Sequence, residues 1–61
     1  MGNYEISVMG KETYFIYGAE NKTKAIQEAI EYFQNDDLFV GSREAEHVTE
    51  DDCEVVWFEK C

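Results

Sequence analysis

The pattern of residues 4–17 predicts a β-hairpin, which restricts the fold because an isolated pair of strands is marginally stable in water. Residues 4–9 alternate between apolar and polar side chains, as a half-buried strand does. Gly10 and Lys11 are predicted to be the central residues of a type II′ turn, in which glycine takes the first position. Residues 13–17 are β-branched and aromatic, so the second strand carries apolar groups on both faces.

A type II′ turn at these residues also predicts the pairing across the hairpin. Counting outward from it places Phe15 beside Ile6, on the face that carries the apolar residues of the first strand. Tyr14 and Ile16 then point to the opposite face. They are predicted to form part of an exposed apolar surface if only one face of the sheet is covered.

A single helix is predicted after this hairpin. Gly18 ends the second strand, and Asn21 is a suitable N-cap for a helix that extends to Gln34 or Asn35. The apolar residues of this segment recur at helical spacing and form one stripe: Ile26, Ala29, Ile30 and Phe33. Such a stripe packs on one face of a sheet.

The last third of the chain is predicted to complete the sheet. Residues 38–40 can form a short strand and residues 53–59 a longer one, whereas residues 44–48 fit either a strand or one helical turn. We therefore expect one small α+β domain spanning residues 1–61. Its predicted architecture is one helix packed on a three- or four-stranded antiparallel sheet, in the order ββαββ.

Apolar side chains occupy both faces of the last predicted strand. Val55 and Trp57 fall on one face, and Val56 and Phe58 fall on the other. One helix covers only one face of the sheet, so one of these pairs is left on the open face. An exposed apolar surface of this kind is typical of contact with a partner or with a second copy of the chain.

The net charge of −9 is concentrated in the second half of the chain. Residues 1–35 carry −2, whereas residues 36–61 carry −7. This charge disfavours direct contact with nucleic acid or anionic membranes and favours basic partners, metal cations or simply solubility. Eight acids form the predicted partner-binding display: Asp36, Asp37, Glu44, Glu46, Glu50, Asp51, Asp52 and Glu54.

If residues 44–54 are largely extended, alternate carboxylates lie about 6.6 Å apart on one face. Duplex DNA carries one negative charge per about 1.7 Å of its axis, and its protein partners line their grooves with lysine and arginine. A row of carboxylates is therefore predicted to occupy such a groove in place of DNA. Trp57 or Phe58 is the predicted apolar anchor beside it, since aromatic side chains dominate the binding energy of many interfaces.

Metal binding is disfavoured by the order of the potential ligands. A calcium loop places its ligands at alternating positions around a glycine, whereas the acids at 50–52 are consecutive and no glycine lies among them. His47, Cys53 and Cys61 lack the spacing of a zinc site. We expect no metal and no cofactor, and an acidic turn that is simply solvated.

Enzymatic activity is also disfavoured. Cys53 lies among acids that raise the pKa of a thiol, and neither a phosphate-binding glycine loop nor a serine nucleophile with its base is present. Cys53 and Cys61 are expected to be free thiols, because eight residues of strand span about 26 Å. Since no signal peptide or membrane segment is evident, we expect a cytoplasmic protein.

The first half of the chain contains the segment YEISVMGKETYFIYGAENKTKAIQEAIEYF. It resembles short proteins of phages and mobile elements, including the DpnD/PcfM-like group. It is also similar to the acidic phage proteins from which anti-CRISPR and anti-restriction inhibitors are drawn. This resemblance does not assign a function to any particular residue of this chain.

Together with the charge, the resemblance implies an inhibitor that acts in the cytoplasm of an infected bacterium. Its expected partner is the basic nucleic-acid-binding surface of a host defence nuclease, which it occupies by DNA mimicry. The alternative is a small homo-oligomeric regulatory module, in which the open face self-associates and the acids only maintain solubility.

Overall fold

The computed structural model describes residues 1–60 and shows a three-stranded antiparallel sheet with one main helix on one face. In chain order, its elements are β1 (Gly2–Val8), β2 (Glu12–Ala19), α1 (Lys22–Asn35), α2 (Arg43–His47), a 3-10 helix (Glu50–Asp52) and β3 (Cys53–Lys60). β1 is the central strand, with β2 and β3 on either side. Within residues 1–60, no helix is long and apolar enough to cross a membrane.

The predicted α+β class is confirmed, but the predicted order ββαββ is not. Residues 38–40, which were expected to form a strand, lie in a turn between α1 and α2. Residues 44–48, for which the sequence left strand and helix open, lie almost entirely in α2. This helix begins where Ser42 Oγ accepts a hydrogen bond from the backbone N–H of Ala45 at 3.1 Å, which satisfies one free donor of its first turn.

The core lies between α1 and the sheet. β1 has the predicted alternation, since Tyr4, Ile6 and Val8 are buried. α1 packs mainly on β1 and β2 and buries most of its apolar stripe, including Phe33. The ring of Phe33 stacks on Phe39 with 4.5 Å between centroids, so the turn after α1 also closes the core.

The ends of α1 agree with the prediction. Asn21 Oδ1 accepts a hydrogen bond from the backbone N–H of Lys24 at 2.9 Å, as an N-cap does. The helix ends at Asn35, and Asp36 already has an extended backbone. The helical part of the fold therefore follows from local sequence signals.

The hairpin turn differs from the predicted type II′ turn, and the difference exchanges the two faces of β2. The N–H of Lys11 donates to the carbonyl of Val8 at 2.9 Å. Met9 and Gly10 lie between them with φ of 55° and 66°, and two positive values are what a type I′ turn requires. Three residues separate the paired ends of the strands, since Val8 pairs with Glu12, a shift of one residue from the predicted pairing of Met9 with Glu12.

A tertiary contact accompanies the left-handed conformation of Met9, which is strained for a residue other than glycine. The N–H of Met9 donates to the carbonyl of Asp52, 2.7 Å away. This hydrogen bond fastens the hairpin turn to the end of the 3-10 helix. The sequence of the hairpin alone contains no sign of it.

β3 also departs from the predicted alternation. Val55 pairs with Ile6 and Trp57 pairs with Glu5, so Val56 is an extra residue in the register. Such a bulge reverses the orientation of the residues beyond it. Val55 and Phe58 therefore share the face covered by α1, and the predicted pairing of Val55 with Trp57 on one face is wrong.

Candidate protein-binding surface

The sheet face opposite α1 carries exposed aromatic rings and carboxylates. We call it the open face; the strand register assigns nine residues to it: Asn3, Glu5, Ser7, Thr13, Phe15, Tyr17, Glu54, Trp57 and Glu59. Three of these residues are glutamates and none is a lysine or arginine. The open face is therefore both apolar and anionic.

One row of this face places a carboxylate between two aromatic side chains. Glu5 on the central strand pairs with Phe15 on one side and with Trp57 on the other. Neighbouring strands lie about 4.8 Å apart, so both rings flank the same glutamate. Phe15 is 54% exposed and Trp57 is 43% exposed, whereas Glu5 is half-buried. The row is open to solvent from above.

Tyr17 extends the aromatic surface along β2. Its ring is stacked on that of Phe15, with 6.3 Å between centroids and 10° between planes. Beyond it, Gly18 has a φ of 69°, and its N–H donates to Asn3 Oδ1 at 3.0 Å. A side chain at this position would strain the backbone. Glycine thus allows the irregular pairing that ends β2 beside β1.

Tyr14 and Ile16 do not belong to the open face, and their predicted role as an oligomer or partner face is wrong. Ile16 is 1% exposed and belongs to the core. Tyr14 lies on the same side of the sheet, where its hydroxyl donates to Asp36 Oδ2 at 2.8 Å. The aromatic residues of β2 that do lie on the open face, Phe15 and Tyr17, were missed from the sequence. The hairpin turn decides the outcome, because it sets whether Tyr14 and Ile16 or Phe15 and Tyr17 point to this face.

Two acids of the predicted display make hydrogen bonds that stabilise the fold. Asp36 accepts from the Tyr14 hydroxyl and, through Oδ1, from the N–H of Leu38 at 2.9 Å. Asp52 Oδ2 accepts from the N–H of Thr49 at 2.9 Å and from its hydroxyl at 3.3 Å. Both carboxylates fix turns.

The other six acids are exposed, but they do not form the predicted ladder of carboxylates. Glu44 and Glu46 lie on a helix, where residues two apart do not share a face. Glu50 and Asp51 lie on the 3-10 helix, which the Met9 hydrogen bond holds at the hairpin end of the sheet. The remaining two are placed apart, with Asp37 in the turn after α1 and Glu54 on the open face.

The two predicted aromatic anchors lie on opposite faces of the sheet. Trp57 is on the open face, beside Glu5. Phe58 is on the α1 side, where its ring contacts that of Tyr4 with 4.8 Å between centroids. A Cβ added at Gly2 would overlap the ring of Phe58, so the absence of a side chain at this position leaves room for the ring. Only Trp57 can act together with the rings of β2.

The pKa of the Cys53 thiol is raised, as the sequence predicts, but the acids are not the main cause. Burial, followed by the negative charges of Asp52 and Glu50, raises the pKa of its thiol. Its Sγ donates to the carbonyl of Thr49 at 3.7 Å. Cys61 lies outside the described residues, so the prediction that both cysteines are free thiols stays a prediction.

Neither a ligand pocket nor a group of three or more His, Cys, Asp and Glu side chains arranged to hold a metal ion is found in residues 1–60.

No protein-family model, no curated protein and no solved structure matches this chain. The resemblance to proteins of phages and mobile elements stays a prediction from the sequence.

Proposed function

We propose that this protein binds a basic, nucleic-acid-binding surface of another protein and thereby competes with nucleic acid. The observation that carries the proposal is the open face, on which three exposed aromatic rings accompany three glutamates without any lysine or arginine. Aromatic side chains supply apolar contact area, while the carboxylates select a partner of opposite charge. The partner class implied by the sequence resemblance is a nuclease of a bacterial defence system.

The acids outside the open face contribute to the approach of such a partner. Glu50 and Asp51 lie at the hairpin end of the sheet, and Glu54 follows them onto the open face. The net charge of −9 on 61 residues gives a field that attracts cations over about one Debye length, roughly 8 Å at physiological ionic strength. Electrostatic attraction of this kind raises the rate of association more than the final affinity.

A second copy of the chain fits the open face less well. Two copies in face-to-face contact would enclose six glutamates in one interface without a lysine or arginine from either open face. Like charges at an interface cost free energy unless a cation or a proton lies between them. This disfavours the homo-oligomeric alternative at neutral pH.

The proposal is tested by competition with DNA. Purified RNA-guided nucleases and restriction endonucleases are incubated with labelled duplex DNA and increasing amounts of this protein. Loss of DNA binding by at least one of them, weakening as salt concentration rises, is the expected result. Full DNA binding by every nuclease at saturating concentrations of the protein would contradict the proposal for these partner classes.

Two double variants with the same net charge separate the effect of carboxylates near the open face from the effect of net charge on competition. Glu50→Gln with Asp51→Asn removes two exposed carboxylates near the open face and leaves Asp52, which fixes a turn, unchanged. Glu28→Gln with Glu31→Gln removes two exposed carboxylates of α1. Competition should weaken more in the first variant than in the second. Equal weakening would indicate that only the net charge matters.

A further inference from the structure

We infer that the open face recognises the guanidinium group of arginine in its partner and discriminates against lysine. The inference rests on the proposed function and specifies the chemistry of its binding surface. The site is the row formed by Phe15, Glu5 and Trp57, in which one carboxylate lies between two exposed rings. It requires both parts of this arrangement, the charge and the rings.

The geometry of the row matches the two ways in which a guanidinium binds. Its planar fork can donate two parallel hydrogen bonds to the carboxylate of Glu5. Its flat faces can stack on an aromatic ring, which Phe15 and Trp57 provide on either side. Because all three side chains project from neighbouring strands of one sheet, a single group approaching Glu5 from solvent meets the rings as well.

Lysine satisfies only part of this arrangement. Its ammonium group is compact and strongly hydrated, so it can pair with Glu5 but does not stack as a planar guanidinium does. A cation over an exposed ring contributes enough to change affinity by about two- to fivefold for each contact. We therefore expect the rings to create a preference that charge alone does not.

The surroundings of the row also point to a cationic occupant. Glu54 and Glu59 are the other carboxylates of the open face, and both are exposed. An arginine that enters the row therefore meets no cation of this face.

Peptides provide the test, because the partner itself is not identified. Hexa-arginine and hexa-lysine carry the same charge and are titrated against the intact protein by calorimetry at two salt concentrations. Trp57 is the only tryptophan of the chain, so its fluorescence reports contact at the row. Hexa-arginine is expected to bind about threefold or more tighter than hexa-lysine and to change the Trp57 emission more strongly.

Matched variants connect this preference to the row. Glu5→Gln removes one negative charge within the row, whereas Glu28→Gln removes one exposed negative charge on α1. The preference for hexa-arginine should be lost in the first variant and kept in the second. Phe15→Ala should reduce it while Trp57 stays available as the probe, and a thermal melt verifies that each variant is folded.

The outcomes separate the inference from the proposed function. Equal, salt-dependent affinity for the two peptides would overturn the arginine inference and leave the proposed function standing. The same holds if Glu5→Gln and Glu28→Gln have equal effects, or if the Trp57 emission does not change on binding. Failure of both peptides to bind would contradict the proposed function together with the inference.

Discussion

At the scale of single residues, Tyr14 connects β2 to the turn that follows α1. Its hydroxyl donates to Asp36 Oδ2 at 2.8 Å in a partly buried position. Tyr14→Phe removes this hydrogen bond and should lower the free energy of unfolding by about 1 kcal/mol. For a domain of this size, that corresponds to a fall in Tm of about 4–8 °C, measurable by circular dichroism.

Tyr17→Phe is the matched control for this change. It removes the same hydroxyl from a side chain that is 71% exposed, on the opposite face of the same strand. Surface substitutions of this kind usually change stability by about 0.5 kcal/mol or less. Equal falls in Tm for the two variants would show that the bond between Tyr14 and Asp36 contributes nothing.

The environment of Tyr14 also predicts a loss of stability in alkaline solution. Burial, followed by the hydrogen bond to Asp36 and the negative charges of Asp36 and Glu12, raises the pKa of its phenol above the ordinary value of 10.0. The folded protein therefore keeps this proton at a pH at which the unfolded chain releases it. The resulting stabilisation is complete below the ordinary pKa and declines as the pH rises above it.

Melting curves at a series of pH values measure this decline. Between about pH 9 and about pH 11, the Tm of the wild-type protein should fall more steeply than that of Tyr14→Phe. Parallel curves for the two proteins would argue against a raised pKa of Tyr14.

At the scale of elements, α1 depends on a single cap and has no favourable charges at its ends. Asn21 Oδ1 accepts from the N–H of Lys24, and the first turn contains no acid. Asn21→Ala should cost about 1 kcal/mol of stability. Asn21→Asp keeps the acceptor and adds a negative charge at the helix N-terminus, so it should be at least as stable as the wild type. Denaturant unfolding measures both; equal losses would contradict the capping role.

The elements also show how much of the fold the sequence determines. β1 and α1 were predicted with nearly the observed bounds, because alternation, helical spacing and an N-cap are local signals. The face of the sheet on which each side chain of β2 lies was not predicted correctly. A shift of one residue in the hairpin turn moves every side chain of the strand to the opposite face. That turn is held by the hydrogen bond from Met9 to Asp52, which joins distant parts of the chain.

The candidate site was predicted only in part, for the same physical reason. That one face of the sheet is open follows from one helix on one sheet, but of its three glutamates only Glu54 belongs to the predicted display. The open-face side chains of β2 were not predicted, since Tyr14 and Ile16 exchange places with Phe15 and Tyr17 when the register shifts by one. The bulge at Val56 likewise brings Trp57 to the open face, and no local pattern in β3 distinguishes a bulged strand from a regular one.

At the scale of the whole molecule, charge and apolar surface act against each other. The open face presents aromatic rings that favour association, while the net charge of −9 opposes contact between copies. At neutral pH and physiological salt, we therefore expect a monomer over a wide range of concentrations, as measured by sedimentation or light scattering. A stable dimer at pH 7 would favour the homo-oligomeric alternative instead.

Because net charge opposes contact through the exposed rings, we predict that copies of the protein associate in acid. As the pH approaches the isoelectric point of about 4.2, the net charge of the protein falls toward zero and the repulsion between copies falls with it. The wild-type protein should then form larger species through its exposed rings. Phe15→Ser removes one of these rings without changing the charge and should associate less at the same pH. If both proteins associate equally, the open face is not the surface through which copies meet.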